Sequence, residues 1–124
     1  MSGSPGPLAG RRVLVVEDEY LIAMEVKRWL QAAGSEVIGP VPGAEQALDL
    51  IEAGALDAAV LDLNLGEGDT AYPIAARLRS LGVPYLFATG DVRVTGAPAE
   101  DDRPRLEKPF LETELVLAVT RLVS

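Results

Sequence analysis

Residues 13–19 read Val-Leu-Val-Val-Glu-Asp-Glu, four apolar residues that stop abruptly at three acids. A short continuous apolar run of this kind marks a strand buried on both faces, as in a parallel sheet. The residues that follow change period. Ile22, Val26, Trp29, Leu30 and Ala33 recur at helical spacing, and Gly34 is a plausible stop. The same alternation then repeats. Glu36-Val37-Ile38 reads as a second strand, and Ala44, Ala47, Leu48 and Ile51 line a second helix that ends near Gly54. Ala58 to Leu61 is a third strand running into Asp62. Asp69 or Thr70 can cap a third helix with Pro73 in its first turn and Ile74, Ala75, Leu78 and Leu81 on its face. Tyr85 to Ala88 is a fourth strand. A short fifth is expected at Arg105–Glu107, ahead of a last helix carrying Leu111, Leu115, Ala118, Val119 and Leu122. Strand–helix alternation of this kind implies an α/β fold, a parallel sheet with helices on both sides.

One stretch breaks the rhythm. Gly90 to Pro104 contains two glycines, two prolines and four acids, and no apolar face can be drawn through it, so at most one helical turn is expected there. Residues 1–10 are rich in Gly, Pro and Ser and read as a flexible lead-in, leaving 11–124 as the folded domain.

Composition narrows the chemistry. The chain has 124 residues, 48% hydrophobic and 24% charged, which suits one globular domain. Its net charge of −8 argues against nucleic acid and against an anionic membrane surface as partners. With no cysteine and no histidine there is no disulfide, no thiolate or imidazole metal site and no Ser-His-Asp catalysis. No apolar run approaches the ~18–20 residues that span a bilayer, and no signal peptide is visible, so the chain reads as cytoplasmic.

In such sheets, ligands bind beyond the carboxyl ends of the strands. Glu17-Asp18-Glu19 ends the first strand, Asp62 the third, Thr89 the fourth and Lys108-Pro109 the fifth. Each has a bland reading alone: Asp18 as a helix cap, Asp62 as a turn former, Thr89 as a strand-end hydroxyl, Lys108 as a solvated cation. Together they are complementary. Clustered carboxylates repel and call for cations, and with oxygen ligands alone the metal should be hard, such as Mg²⁺. A carboxylate beside Mg²⁺ and a lysine can take up a phosphoryl group.

The segments Val13–Glu19, Val60–Gly66, Phe87-Ala88-Thr89-Gly90 and Lys108-Pro109-Phe110, in this order, resemble the receiver domain of two-component response regulators. The resemblance covers residues 11 to 123. Tyr72-Pro73 and Arg103-Pro104 add likeness to the single-domain "FATG" receivers of alphaproteobacteria. It implies a flavodoxin-like, doubly wound five-stranded sheet of order 2-1-3-4-5. It implies Asp62 as phosphoacceptor, Mg²⁺ (or Mn²⁺ as substitute) on Asp18, Asp62 and the Asn64 carbonyl, and Glu17 acting through water. Lys108 would pair with the phosphoryl group, Thr89 would turn toward it, and Lys108–Pro109 would be cis. The implied donor is a histidine kinase, of the HWE type, or a histidine phosphotransferase. The implied output is protein–protein contact or a phosphate shuttle or sink, from a stand-alone monomer, with dimerisation on phosphorylation left open. No enzyme activity is implied beyond Mg²⁺-dependent self-phosphorylation and slow autodephosphorylation.

Three departures concern output. Arg105 stands where most receivers have an aromatic switch residue, Asp91 stands where the subgroup tends to an aromatic, and the family's fourth helix is expected to be short or absent. Phe110 belongs to the same switch and output region. A haloacid-dehalogenase-type phosphatase is the enzymatic alternative. It would need a second carboxylate two residues after Asp62, where Asn64 stands. A receiver fold that binds a partner without phosphorylation is the non-enzymatic one.

Overall fold

The computed structural model describes residues 6–63, 65, 70–89 and 105–123, with Thr89 described by its backbone. The strands are β1 (Arg12–Val16), β2 (Glu36–Val41), β3 (Ala58–Asp62), β4 (Tyr85–Thr89) and β5 (Arg105–Glu107). They form one parallel sheet in the order β2-β1-β3-β4-β5. The helices among the described residues are α1 (Tyr20–Ala32), α2 (Ala44–Ala53), α3 (Tyr72–Ser80) and α4 (Glu112–Leu122). The expectations for Gly90–Pro104, including a short or missing helix and the role of Asp91, lie outside the described residues.

Strand period two divides the core into two layers. Leu14, Val16, Ala59, Leu61, Tyr85 and Phe87 face α2 and α3, whereas Val13, Val15, Ala58, Val60, Leu86 and Ala88 face α1 and α4. Every residue of the central strand β3 is buried, and accordingly its run is apolar up to its last residue, Asp62. Helix α1 ends as Gly34 suggests. Gly34 takes a φ of +100°, its N–H donates to Gln31 O, and Ser35 N–H donates to Leu30 O, so two terminal carbonyls are satisfied.

Four details differ from the sequence reading. β2 runs on to Val41 through a cis Gly39–Pro40 peptide, and its pairing with β1 slips between Leu14 and Val16. The edge position tolerates Pro40, which has no N–H to give. Residues 6–10, assigned to the lead-in, pack against the domain. Leu8 is fully buried in the α1/α4 layer, and its N–H donates to Ala33 O at 2.9 Å. Leu81 and Leu111 are exposed instead of core, because they flank their helices as end residues. Finally, Ala71 holds the N-cap position of α3, with Thr70 Oγ1 accepting a long 3.4 Å bond from Tyr72 N–H. Asp69 lies outside the described residues.

Candidate functional site

The sheet delivers polar residues to one edge because each buried run must end where water begins. β1 ends at Val16, and Glu17 follows with its N–H held by Val41 O at 3.0 Å. β3 carries Asp62 as its last residue, and Lys108 follows β5 directly. Ligand oxygens of Glu17, Asp18 and Asp62 lie within 4.8 Å of one another. Glu17 and Asp62 are buried, Asp18 is exposed.

Lys108 reaches across β4 and β3 to this cluster. Its Nζ lies 2.7 Å from Glu17 Oε2 and 3.4 Å from Asp62 Oδ1. Glu17 Oε1 also accepts the Glu19 N–H at 3.1 Å. Asp18 does not cap α1: Glu19 holds the N-cap position and makes no side-chain capping bond. The helix-cap reading of Asp18 is thus not the one its backbone adopts, and its carboxylate joins the cluster.

Crowding shows in the acid–base balance. Burial, hydrogen bonding with the Glu17 and Asp18 carboxyls and the charge of Glu17 push Asp62 up to about 8, against the opposing pull of Lys108. Burial pulls the Lys108 ammonium down, but the hydrogen bond and charge of Glu17 and the charge of Asp62 outweigh it and hold it above its ordinary value. Lys108 therefore stays cationic at neutral pH. One ammonium against three carboxyls leaves the cluster short of positive charge, and an all-oxygen donor set of this size suits a hard divalent cation.

The structure joins four of the sequence-selected residues: Glu17, Asp18, Asp62 and Lys108. β4 brings the Thr89 backbone to the same edge, paired with Glu107. The side chain of Thr89, and Asn64 and Asp91 altogether, lie outside the described residues. Lys108–Pro109 is cis. Phe110 meets Trp29 of α1 edge-on, ring centroids 6.2 Å apart. These two rings, Ile22, Val26 and Pro109 line a cavity of about 220 Å³ beside Lys108. In the sequence Trp29 was legible only as a helix-face residue. Arg105 is directed elsewhere: its guanidinium lies 5.3 Å from the centroid of the Phe87 ring, its register partner on β4.

A family model for the response regulator receiver domain matches residues 13–120. The chain belongs to the response regulator receiver family. Among solved structures it is similar to SdrG from Sphingomonas melonis Fr1, at 35% identity and a TM-score of 0.80, with all of both chains covered. It also shares its fold with PhyR from Brucella abortus, at 24% identity and a TM-score of 0.79, over 94% of this chain and 49% of that one. Among curated proteins it is 32% identical over 122 residues to the transcriptional regulatory protein PdtaR of Mycobacterium tuberculosis, covering 92% of this chain and 57% of that protein. The chain spans about half the length of the curated relatives it matches.

Receivers are signalling modules of two-component systems that bind Mg²⁺ at an acidic pocket and interact with histidine kinases and phosphotransfer proteins. The acidic cluster of this chain has the composition such a pocket needs. No helix among the described residues is long and apolar enough to cross a membrane.

Proposed function

We propose that the chain accepts a phosphoryl group on Asp62 from a partner histidine kinase, of the HWE type, or from a histidine phosphotransferase. The observation that carries this reading is the bridging position of Lys108, 2.7 Å from Glu17 and 3.4 Å from Asp62. A cation already seated over a buried carboxylate is placed to meet the oxygens of an incoming phosphoryl group. In the transfer, an Asp62 carboxylate oxygen bonds to phosphorus as the bond from phosphorus to the donor nitrogen breaks. The imidazole leaving group keeps that electron pair and takes up a proton.

Asp18 and Asp62 would hold Mg²⁺, or Mn²⁺ in its place, together with the Asn64 carbonyl. Glu17 would act through water, consistent with its direct engagement to Lys108. The cation, when bound, supplies the positive charge that three crowded carboxyls and a phosphoryl group require. Thr89 is assigned to the phosphoryl oxygens on the family resemblance and its place at the end of β4.

Output then runs through contacts made by the receiver itself, or through onward passage of the phosphoryl group as a shuttle or sink. The test is intact-protein mass after incubation with Mg²⁺ and acetyl phosphate. One added phosphoryl group on the parent chain, and none on Asp62→Asn, is the expected result. Equal labelling of both would move the acceptor elsewhere. If neither acetyl phosphate nor a beryllofluoride mimic altered the parent, the reading would give way to a phosphorylation-independent binding module.

A further inference from the structure

Residues 6–11 precede the span 13–120 that the family model matches, and Val123 follows it. The fold brings these two outlying stretches together. Gly6 to Arg11 form a compact pair of turns, in which Ala9 N–H donates to Gly6 O at 3.1 Å and Arg11 N–H donates to Leu8 O at 3.0 Å. The turns seat on the carboxyl end of α1. Leu8 N–H donates to Ala33 O at 2.9 Å, and Glu36 N–H, at the start of β2, donates to Arg11 O at 2.8 Å. The seat is close-fitting. A Cβ at Gly6 would run into the Ala33 carbonyl, and one at Gly34 would stand 3.0 Å from Ala9 Cα. From this seat Leu8 enters the α1/α4 layer, fully buried in one cluster with Val26 and Leu30 of α1 and Leu115 and Val119 of α4. Arg11 reaches further, and its Nη2 donates to Val123 O at 3.4 Å, just past the end of α4.

Helix α4 is thus tied to α1 at two separate places. Near its amino end, Phe110 meets Trp29. Toward its carboxyl end, residues 6–11 bridge the two helices. We propose that residues 6–11 are a clasp that fixes the carboxyl half of α4 against α1, and that this half detaches together with the clasp while the α2/α3 layer stays closed. Leu8 is apolar filling common to both helices, yet it is tethered only by turn hydrogen bonds at the domain surface. Its release therefore exposes little of the sheet and costs far less than global unfolding. The inference goes beyond the receiver reading and does not rest on the phosphoryl chemistry.

The test is amide hydrogen exchange of the ¹⁵N-labelled full chain, followed residue by residue in the parent, Leu8→Ala and Gly6→Ala. Leu8→Ala empties the apolar anchor. Gly6→Ala keeps Leu8 but crowds the segment off Ala33. In both variants, exchange at Leu8 and at Val119 to Leu122 should quicken about tenfold or more, and exchange in α2 and α3 by less than about twofold. Equal acceleration in α2 and α3 would make Leu8 an ordinary piece of core. Parental exchange at Val119 to Leu122 would show that α4 stands without the clasp. Either result overturns the proposal. If Leu8→Ala gives no folded spectrum, Gly6→Ala decides alone, because it removes no core atom. None of these outcomes touches the Asp62 assignment, which the mass measurement decides separately.

Discussion

Arg105 and Lys108 begin and follow the same three-residue strand, yet they occupy opposite environments. Lys108 sits in the site, largely shielded from water, with its ammonium against two buried carboxylates. Arg105 is exposed and its guanidinium lies on an aromatic ring. Position relative to the sheet edge makes the difference. Lys108 lies just past the carboxyl end of β5, where the polar ends of β1 and β3 converge. Arg105 is still in the ladder, opposite Phe87, and can only lie along the sheet face. A cation's value to the protein is thus set by what its strand register lets it reach: low-dielectric carboxylates in one case, a π-face and solvent in the other.

The contrast can be broken most sharply at Lys108. Replacing it by Ala removes the one ammonium of the cluster, and the rate of labelling by acetyl phosphate should fall about a hundredfold, the scale seen when one preorganised charge donor is lost. Timed mass spectra of parent and variant check this, and near-parental labelling would mean that Lys108 is only a structural counter-ion.

The next effect is metal binding. Mg²⁺ at a hundredfold excess over its Kd should stabilise the folded state by about 2.7 kcal/mol, read as a rise in Tm. The gain should be larger at pH 8 than at pH 6. Asp62 is raised to about 8 in the folded chain, so its contribution to metal-free stability is present below its unfolded value and is lost as pH rises toward 8. At pH 6 the cation must also displace a proton from it. A Tm gain independent of pH would place the metal away from Asp62.

The smallest effect is at the other cation. Arg105→Ala should lower unfolding free energy by about 0.5–1 kcal/mol, the worth of an exposed cation–π contact, measured by urea denaturation. A loss several times larger would show that Arg105 holds more of the β5 edge than its contact with Phe87.

Much of the site was legible before any coordinates, for a reason seen in β3. A strand covered on both faces is apolar until it nears the sheet edge, so Asp62, the last residue of β3, marks that edge. The same logic located Glu17, whereas β5 is mostly exposed and Lys108 was placed by its Lys108-Pro109-Phe110 motif. Leu8 was not legible, because one apolar residue among Gly, Pro and Ser has no periodicity. Only the approach of residues 6–10 to the end of α1 makes it core. The continuation of β2 from Gly39 to Val41 was missed in the same way, since Gly39-Pro40 reads locally as a turn, whereas an edge strand can absorb it.

The sequence by itself therefore determined the alternation of strands and helices, the edge at which the polar residues gather and the kinds of group available there. Burial and chain period are local properties, and they are written residue by residue. Tertiary structure alone decided which groups meet. Glu17 and Lys108 are 91 residues apart, and their 2.7 Å contact exists because β5 lies beyond β4 and β3 from β1 in one sheet. It also decided that Phe110 would meet Trp29 and that Arg105 would cover Phe87. Such pairings depend on strand order and register, which couple distant parts of the chain through packing and hydrogen bonds that no local pattern encodes.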